Sequence, residues 1–263
     1  MGIVNVTPDS FSDGGRLGSV EAAVAHGLRL VEQGADILDI GGESTRPGAD
    51  PVPAEAEIAR IIPVIQALAA RWKGPISVDT MKPDVARAAV AAGASIWNDV
   101  SALTFAPESP ETAAALGCGV VLMHMQGEPR TMQAEPRYDD VAAEVTAWLA
   151  ARAEAAMAAG VAHERIWLDP GLGFGKTAAH NLTLTARLDQ LVALGFPVLY
   201  GASRKRTVQS VDPTAAEPSD RLGGSLALAL EAARRGAAVV RVHDVRETVQ
   251  ALKLQAAVMR AGE

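Results

Sequence analysis

Short apolar runs and longer amphipathic stretches alternate along the whole chain. Residues 1–6 begin at once as a buried strand, so a preceding segment is expected. Further runs follow at 36–40, 75–79, 95–98, 119–124, 166–168, 197–200 and 238–242, nearly all rich in Val, Ile and Leu. Continuous apolar runs of this length mark strands buried on both faces of a parallel sheet. Between them, helical spacing covers 20–33, 54–72, 83–92, 108–116, 139–159, 181–194, 219–235 and 245 to about 260. Gly34 ends the first of these helices, and Pro63 is expected to bend the second. Segments 7–15 and 41–53 read as loops from their Gly, Pro, Ser and Asp content. Strands alternating with helices in this number predict an α/β fold: a single (β/α)8 TIM barrel domain over 1–263. Its site is expected at the C-terminal ends of the strands. No linker or low-complexity tract divides the chain.

Composition narrows the partners. Apolar residues make up 49% and charged residues 21%, as in ordinary globular proteins. Twenty-four basic against 31 acidic side chains leave a formal charge of −7, which argues against general nucleic-acid binding. An anionic ligand would therefore need a local cationic cluster. No apolar run approaches the ~20 residues of a membrane span. The lone Cys118 excludes an internal disulfide and points to a reducing, cytoplasmic setting. It lies between two glycines before an apolar run, which favours a buried structural thiol over a nucleophile.

Candidate chemistry gathers where the strands end. The stretch Asp169-Pro-Gly-Leu-Gly-Phe-Gly-Lys176 follows an apolar run directly. A carboxylate there can accept paired hydrogen bonds from the N–H edge of a heterocycle, and the glycines let a flat ligand come close. The other strand ends deliver Asn5, Asp39, Asp79, Asn98, Met123 with His124, Ser203 to Lys205, and Arg241 to His243. Singly, each has a plain structural explanation: Asp39 or Asp79 as a helix cap, His124 as a satisfied core histidine. So many polar groups at one end exceed what fold-building requires, because each costs ~1–3 kcal/mol if buried without a partner. Asp79, Asn98 and Asp169 suit a hydrogen-bonding heterocycle that becomes positively charged. Lys205, Arg241 and His243 suit an anion, Arg241 and His243 sharing one face of the last strand. Asn5 offers an oxygen that could share Mg²⁺ with a phosphate ligand. Zinc-ligand spacing is absent, and Gly171, Gly173 and Gly175 are too close together for a dinucleotide fingerprint.

Seven motifs in order carry a family resemblance: Asn5-Val-Thr-Pro-Asp-Ser-Phe-Ser-Asp-Gly-Gly15, Asp39-Ile-Gly-Gly-Glu-Ser-Thr-Arg-Pro-Gly48, Ser77-Val-Asp-Thr80, Asn98-Asp-Val100, the Asp169–Lys176 stretch, Ser203-Arg-Lys205 and Arg241-Val-His-Asp244. Together they resemble the dihydropteroate synthases of the pterin-binding TIM barrels, over essentially the whole chain. The resemblance implies a transferase of folate biosynthesis. It would join 4-aminobenzoate to 7,8-dihydropterin-6-ylmethyl diphosphate, giving 7,8-dihydropteroate and pyrophosphate. It implies that Asp79, Asn98, Asp169, Phe174 and Lys205 hold the pterin. Phe11, Thr45, Arg46, Pro47, Ser203 and Lys205 would surround 4-aminobenzoate, and Asn5, Arg241 and His243 the diphosphate. Asp79, Lys205, Arg241 and His243 would be the catalytic groups, and Asn5 would bind the Mg²⁺ cofactor with Asp39 close by. The family implies a homodimer through helices near the C-terminal half, acting on small molecules and neither nucleic acid nor membrane. The loops 7–15 and 42–49 are expected to open easily and to complete the 4-aminobenzoate pocket only after the pterin diphosphate binds. Three places depart from the family pattern: Met81, Trp97, and Arg206-Thr-Val-Gln209 after Ser-Arg-Lys. Two alternatives are a pterin-binding methyltransferase barrel, which gives no reason for the first loop or Ser-Arg-Lys, and an inactive homologue. The second should have lost Asn5, Arg46, Lys205 or His243, and all four are present.

Overall fold

A computed structural model describes residues 1–6, 15–44, 50–127 and 131–262, with side chains from Val20 onward in the first helix. Eight strands follow one another in the chain: β1 (Gly2–Asn5), β2 (Leu38–Gly41), β3 (Ile76–Asp79), β4 (Ile96–Asp99), β5 (Gly119–Met123), β6 (Ile166–Asp169), β7 (Leu199–Tyr200) and β8 (Val239–Val240). Helices separate them: α1 (Gly15–Glu32), α2 (Ala54–Arg71), α3 (Pro83–Ala91), α4 (Ser109–Leu116), α5 (Val141–Ala158), α6 (Ala178–Ala186), α7 (Leu188–Val192), α8 (Arg206–Val211) and α9 (Leu222–Arg234), with α10 (Val245–Ala261) last.

All pairings are parallel. β1 to β6 form one sheet in sequence order, and β7 pairs with β8 in a second. Two single bridges carry the seams, Leu168 to Val198 and Gly2 to Val242. The first seam holds a bond from Leu168 N–H to Pro197 O at 2.9 Å; the second holds Ile3 N–H to Val242 O at 3.1 Å, Val242 N–H to Met1 O at 2.9 Å and the Met1 amino group to Val240 O at 2.9 Å. The ladders thus stop at six and two strands, and the bridges complete the circuit of the (β/α)8 barrel fold.

Side-chain alternation along each strand sorts the core. Outward positions such as Leu38, Val78, Trp97, Val120, Leu122 and Leu168 pack under the helices in the main apolar cluster. Inward positions at the opening of the strands form a smaller one, from Met1, Ile37, Ile96, Val121 and Leu199 with Trp167 and Val239 against it. Two residues further along, the inward positions turn polar on β2, β4 and β6 and just past β8, at Asp39, Asn98, Asp169 and Arg241. The period of two therefore closes the barrel's floor and leaves its C-terminal mouth to chemistry.

Helix limits differ from the sequence expectation where caps decide. Asp140 caps α5 through the amides of Ala142 and Ala143, so that helix starts at Val141 rather than 139. Thr177 and His180 form a reciprocal capping box that starts α6 at Ala178 instead of 181. The stretch expected as one helix over 181–194 breaks at Arg187, whose guanidinium reaches Asp140 at 2.9 Å. α2 runs through Pro63 as one helix.

Of the three places singled out in the sequence, two have physical roles in the structure. The Trp97 indole, fully buried, donates to the Thr80 carbonyl at 2.7 Å and props the turn after β3. Arg206 to Gln209 open the unpredicted α8. There Thr207 accepts from Asn181 at 2.9 Å, Gln209 accepts from Arg221 at 3.0 Å, and Val208 rests on Gly224. Nothing in the structure explains Met81. Among the described residues no helix is long and apolar enough to cross a membrane.

Trp97→Phe keeps the ring and removes the donor, leaving a buried carbonyl without its partner. It should cost ~1–3 kcal/mol of unfolding free energy, read from urea denaturation. An unchanged midpoint would show that the bond to Thr80 does not matter to stability.

Candidate active site

Register builds the cleft. Asn5 pairs with Gly41, Gly41 with Asp79, and Asp79 with Asn98, so four strand ends stand in one row. Met123 is in register with Asp169 on the next pair. The resulting cleft, about 70 Å³, is lined by Asp79, Asn98, Asp169, Phe174, Ser203, Lys205, Arg241 and His243, with Ile3, Val100, Met123 and Gly201 as its apolar wall.

At its floor the Arg241 guanidinium lies between two carboxylates, donating from Nε to Asp39 at 2.6 Å and from NH2 to Asp79 at 2.7 Å. Asp39 is fully buried and also accepts from the Asn98 amide at 3.3 Å. Among the described residues, Oδ1 of Asp79 is buried and lacks a hydrogen-bond partner. Such an atom is costly unless a ligand meets it. Burial drives the Asp79 carboxyl up to about 7, with Arg241 opposing and Asp39 adding to the rise.

The second wall is the segment after β6. Asp169 accepts from the Gly171 amide at 2.7 Å, and burial raises its proton affinity while Lys205 works against that. Gly171 has φ +64°, and a Cβ there would stand 1.9 Å from the His124 carbonyl oxygen. Gly175, at φ +63°, meets the Gln126 carbonyl in the same way at 2.4 Å. Only glycine lets this loop lie so close to the one after β5. Lys205 donates to the Leu172 carbonyl and lies 4.8 Å from the Phe174 ring centre. Burial lowers its ammonium to about 8, Asp169 holding it up. Ser203 Oγ and His243 Nδ1 are 3.0 Å apart.

The mouth thus brings together Asp79, Asn98, Asp169, Phe174, Ser203, Lys205, Arg241 and His243. Asn5 stands at the same level beside Gly41, where a Cβ would be 3.9 Å from its Oδ1. Phe11, Thr45, Arg46 and Pro47, and most of the two loops that carry them, lie outside the described residues. Two strand-end candidates face elsewhere. Arg204 adopts φ +59° and pairs with Asp244 at 2.6 Å. His124 is buried against Trp148 with its Nδ1 2.8 Å from Lys176, the satisfied-histidine alternative. The open anion cluster expected of Arg241 is, in this structure, an ion-paired one. Lys176 and Lys82 received no role from sequence. Lys176 is buried behind the glycine loop, and Lys82 bridges Glu43 at 2.6 Å and Glu57 at 2.8 Å. A lysine closing a glycine run was the available signal for the first; nothing in the sequence paired Lys82 with residues so far away. Among the described residues no three His, Cys, Asp or Glu side chains could hold a metal ion.

Comparison with known proteins identifies the family. A family model described as pterin binding enzyme matches residues 1–243. The dihydropteroate synthase of Escherichia coli K12 is 49% identical over 263 residues, covering 100% of this chain and 92% of that protein. A Xanthomonas albilineans dihydropteroate synthase structure with 4-aminobenzoic acid superposes with TM-score 0.92 at 56% identity, covering 98% of this chain and 92% of the other. Another from that organism, in complex with 7,8-dihydropteroate, gives 0.89 at 53% identity, with 98% and 92% covered.

The raised Asp79 has a consequence for stability. Its folded pKa of about 7 lies above the ordinary carboxyl value of about 4. Its contribution is then complete below that ordinary value and is lost as pH rises through 7. Urea unfolding between pH 4 and 8 should show this falling component, and Asp79→Asn should remove it while Arg241 keeps Asp39. Identical pH slopes in both proteins would contradict the assignment.

Proposed function

The chain belongs to the family of pterin-binding enzymes, and we propose that its strand-end cleft condenses 7,8-dihydropterin-6-ylmethyl diphosphate with 4-aminobenzoate, releasing pyrophosphate and forming 7,8-dihydropteroate. This is the reaction of the dihydropteroate synthases, its full-length relatives. The observation that carries it is one cleft in which Asp79, Asn98 and Asp169 face Lys205, Arg241 and His243. A hydrogen-bonding heterocycle fits the first set and a diphosphate the second.

Asp79, through its unpartnered Oδ1, and Asp169 accept from the pterin's N–H edge, with the Asn98 amide between them in the row. Phe174 walls the ring. On this reading a fused ring enters between Asp169 and Phe174, and Lys205 moves off the Leu172 carbonyl to meet it. The C–O bond to the diphosphate breaks and pyrophosphate leaves with the electron pair, received by Arg241 and His243. The positive charge left on the methylene carbon spreads over the pterin and is stabilised by the buried carboxylates. The amine nitrogen of 4-aminobenzoate then forms the C–N bond and loses a proton. An aromatic amine is already a sufficient nucleophile, so this step needs no strong general base. We assign Phe11, Thr45, Arg46, Pro47 and Ser203, with Lys205, to this second substrate on their motifs.

Mg²⁺ fits here only in a particular way. Asp39 is taken by Arg241 and Asn98, and with Asp79 Oδ1 assigned to the pterin we assign the cation to the Asn5 oxygen. A single amide oxygen suits a hard cation whose shell is completed by phosphate and water, the arrangement Mg²⁺ prefers. Bound so, Mg²⁺ would neutralise charge on the departing pyrophosphate.

We also propose that two copies pair through the C-terminal helices. Leu254, Val258 and Met259 on α10 are 67%, 65% and 55% exposed, and Val211 ends α8 at 67%. The three α10 residues, within six positions of one helix, form an apolar ridge that fits a second copy of the chain. A monomer in sedimentation experiments at assay concentrations would overturn it.

Mixing the protein with both substrates and Mg²⁺ should release pyrophosphate, and its absence would refute the function. Asp169→Asn should weaken pterin binding by ~1.5–3 kcal/mol or more, the worth of a charge-assisted bond, while the fold persists. Calorimetry showing unchanged pterin affinity in that variant would remove Asp169 from the pocket.

A further inference from the structure

Nearly all support for the loop over 171–175 comes from side chains. Its carbonyls are received one by one: Gly171 by Lys176 at 3.1 Å, Leu172 by Lys205, Gly173 by Gln133, Phe174 by Lys176 at 3.0 Å and Gly175 by Tyr138 at 2.8 Å. Lys176 alone takes two, and its Nζ also lies 3.2 Å from the His124 carbonyl and 2.8 Å from His124 Nδ1. The lysine is 2% exposed. An ammonium has three N–H groups, here among four acceptors of which three are carbonyl oxygens. The His124 ring, against Trp148, completes the set as an acceptor at Nδ1. Burial and the adjacent Lys176 depress His124 to about 3, consistent with a neutral ring.

This places one buried lysine behind the loop, its ammonium lowered by burial to about 7 with Asp169 opposing the fall, and another, Lys205, in front of it. The front one must release Leu172 when a ring enters the cleft; the rear one has no such duty. We propose that Lys176, seated on His124, is a positioning residue for the pterin: through the Gly171 and Phe174 carbonyls it fixes the height of Asp169 and Phe174 in the cleft without touching the ligand. The proposal rests on the reading that Asp169 and Phe174 meet the pterin. It accounts for the lysine that ends the glycine run, and for the close approach of Gly171 to His124, which brings that imidazole under the loop.

The test compares binding of pterin diphosphate by calorimetry with steady-state KM values for both substrates. Lys176→Met retains length and loses the donors. It should raise the Kd and KM for the pterin substrate roughly 10- to 100-fold, the usual effect of misplacing a ligand-bearing group. The KM for 4-aminobenzoate at saturating pterin should move by less than about twofold. His124→Gln, which keeps an acceptor for Lys176 and is the milder change, should fall between wild type and Lys176→Met, and serves if the latter does not fold. Asp169→Asn is the reference. If it loses pterin affinity while Lys176→Met and His124→Gln do not, Lys176 is a fold-building residue and the proposal fails. A fall in kcat with both KM values unchanged overturns it equally. If Asp169→Asn itself retains pterin affinity, the reading of the cleft fails and takes the proposal with it.

Discussion

A guanidinium buried between two carboxylates is the interaction on which the cleft depends. Parallel strands with a period of two bring Asp39 and Asp79 inward at the barrel mouth, where water cannot solvate them fully. Unpaired charges there would be costly, and Arg241, which follows the strand bridged to β1, reaches across β1 to meet both. Removing that one cation would leave Asp39 with only the Asn98 amide, and would free Asn98 to turn. The positions of three cleft groups are therefore one problem with one solution. The same packing leaves an oxygen of Asp79 over, and that remainder is where a ligand gains its hold.

Much of this was readable from sequence because a short strand exposes its logic. An apolar run that ends in Asp or Asn in a parallel sheet has few places to put the polar group except the mouth, and Asp79, Asn98 and Asp169 are found there. What a strand end does not encode is the direction of the residues just beyond it. His124, one residue past β5, and Arg204, held at positive φ, both turn from the cleft for reasons supplied by Lys176 and Asp244, 52 and 40 residues away. The short α8 was hidden for a similar reason. Its Thr207 and Val208 are fitted to Asn181 and Gly224, and propensity alone does not mark such fits.

Trp97 illustrates how the outward face takes up bulk. Its indole packs under the helices and brings a donor for the carbonyl of Thr80, at the turn just past Asp79. The ring lies on the outward side of β4, so Asn98 next to it keeps its inward place. Alternation insulates the two faces from each other, and the packing layer can vary while the polar row stays where it is.

The division of the strands into six and two has an electrical side. The acids of the mouth, Asp39, Asp79 and Asp169, belong to the larger sheet, whereas Lys205, Arg241 and His243 follow β7 and β8. Opposite signs are thus mounted on two sheets, joined through main-chain hydrogen bonds at both seams. The barrel resembles a charged capacitor with one plate of each sign. Any small shear between the plates moves charge across the gap and alters the field felt by whatever lies within it. Ion pairs spanning the gap act as the spring that resists this. The geometry of the seams and the electrostatics of the cleft are then one coordinate, and a rigid seam is a steady field.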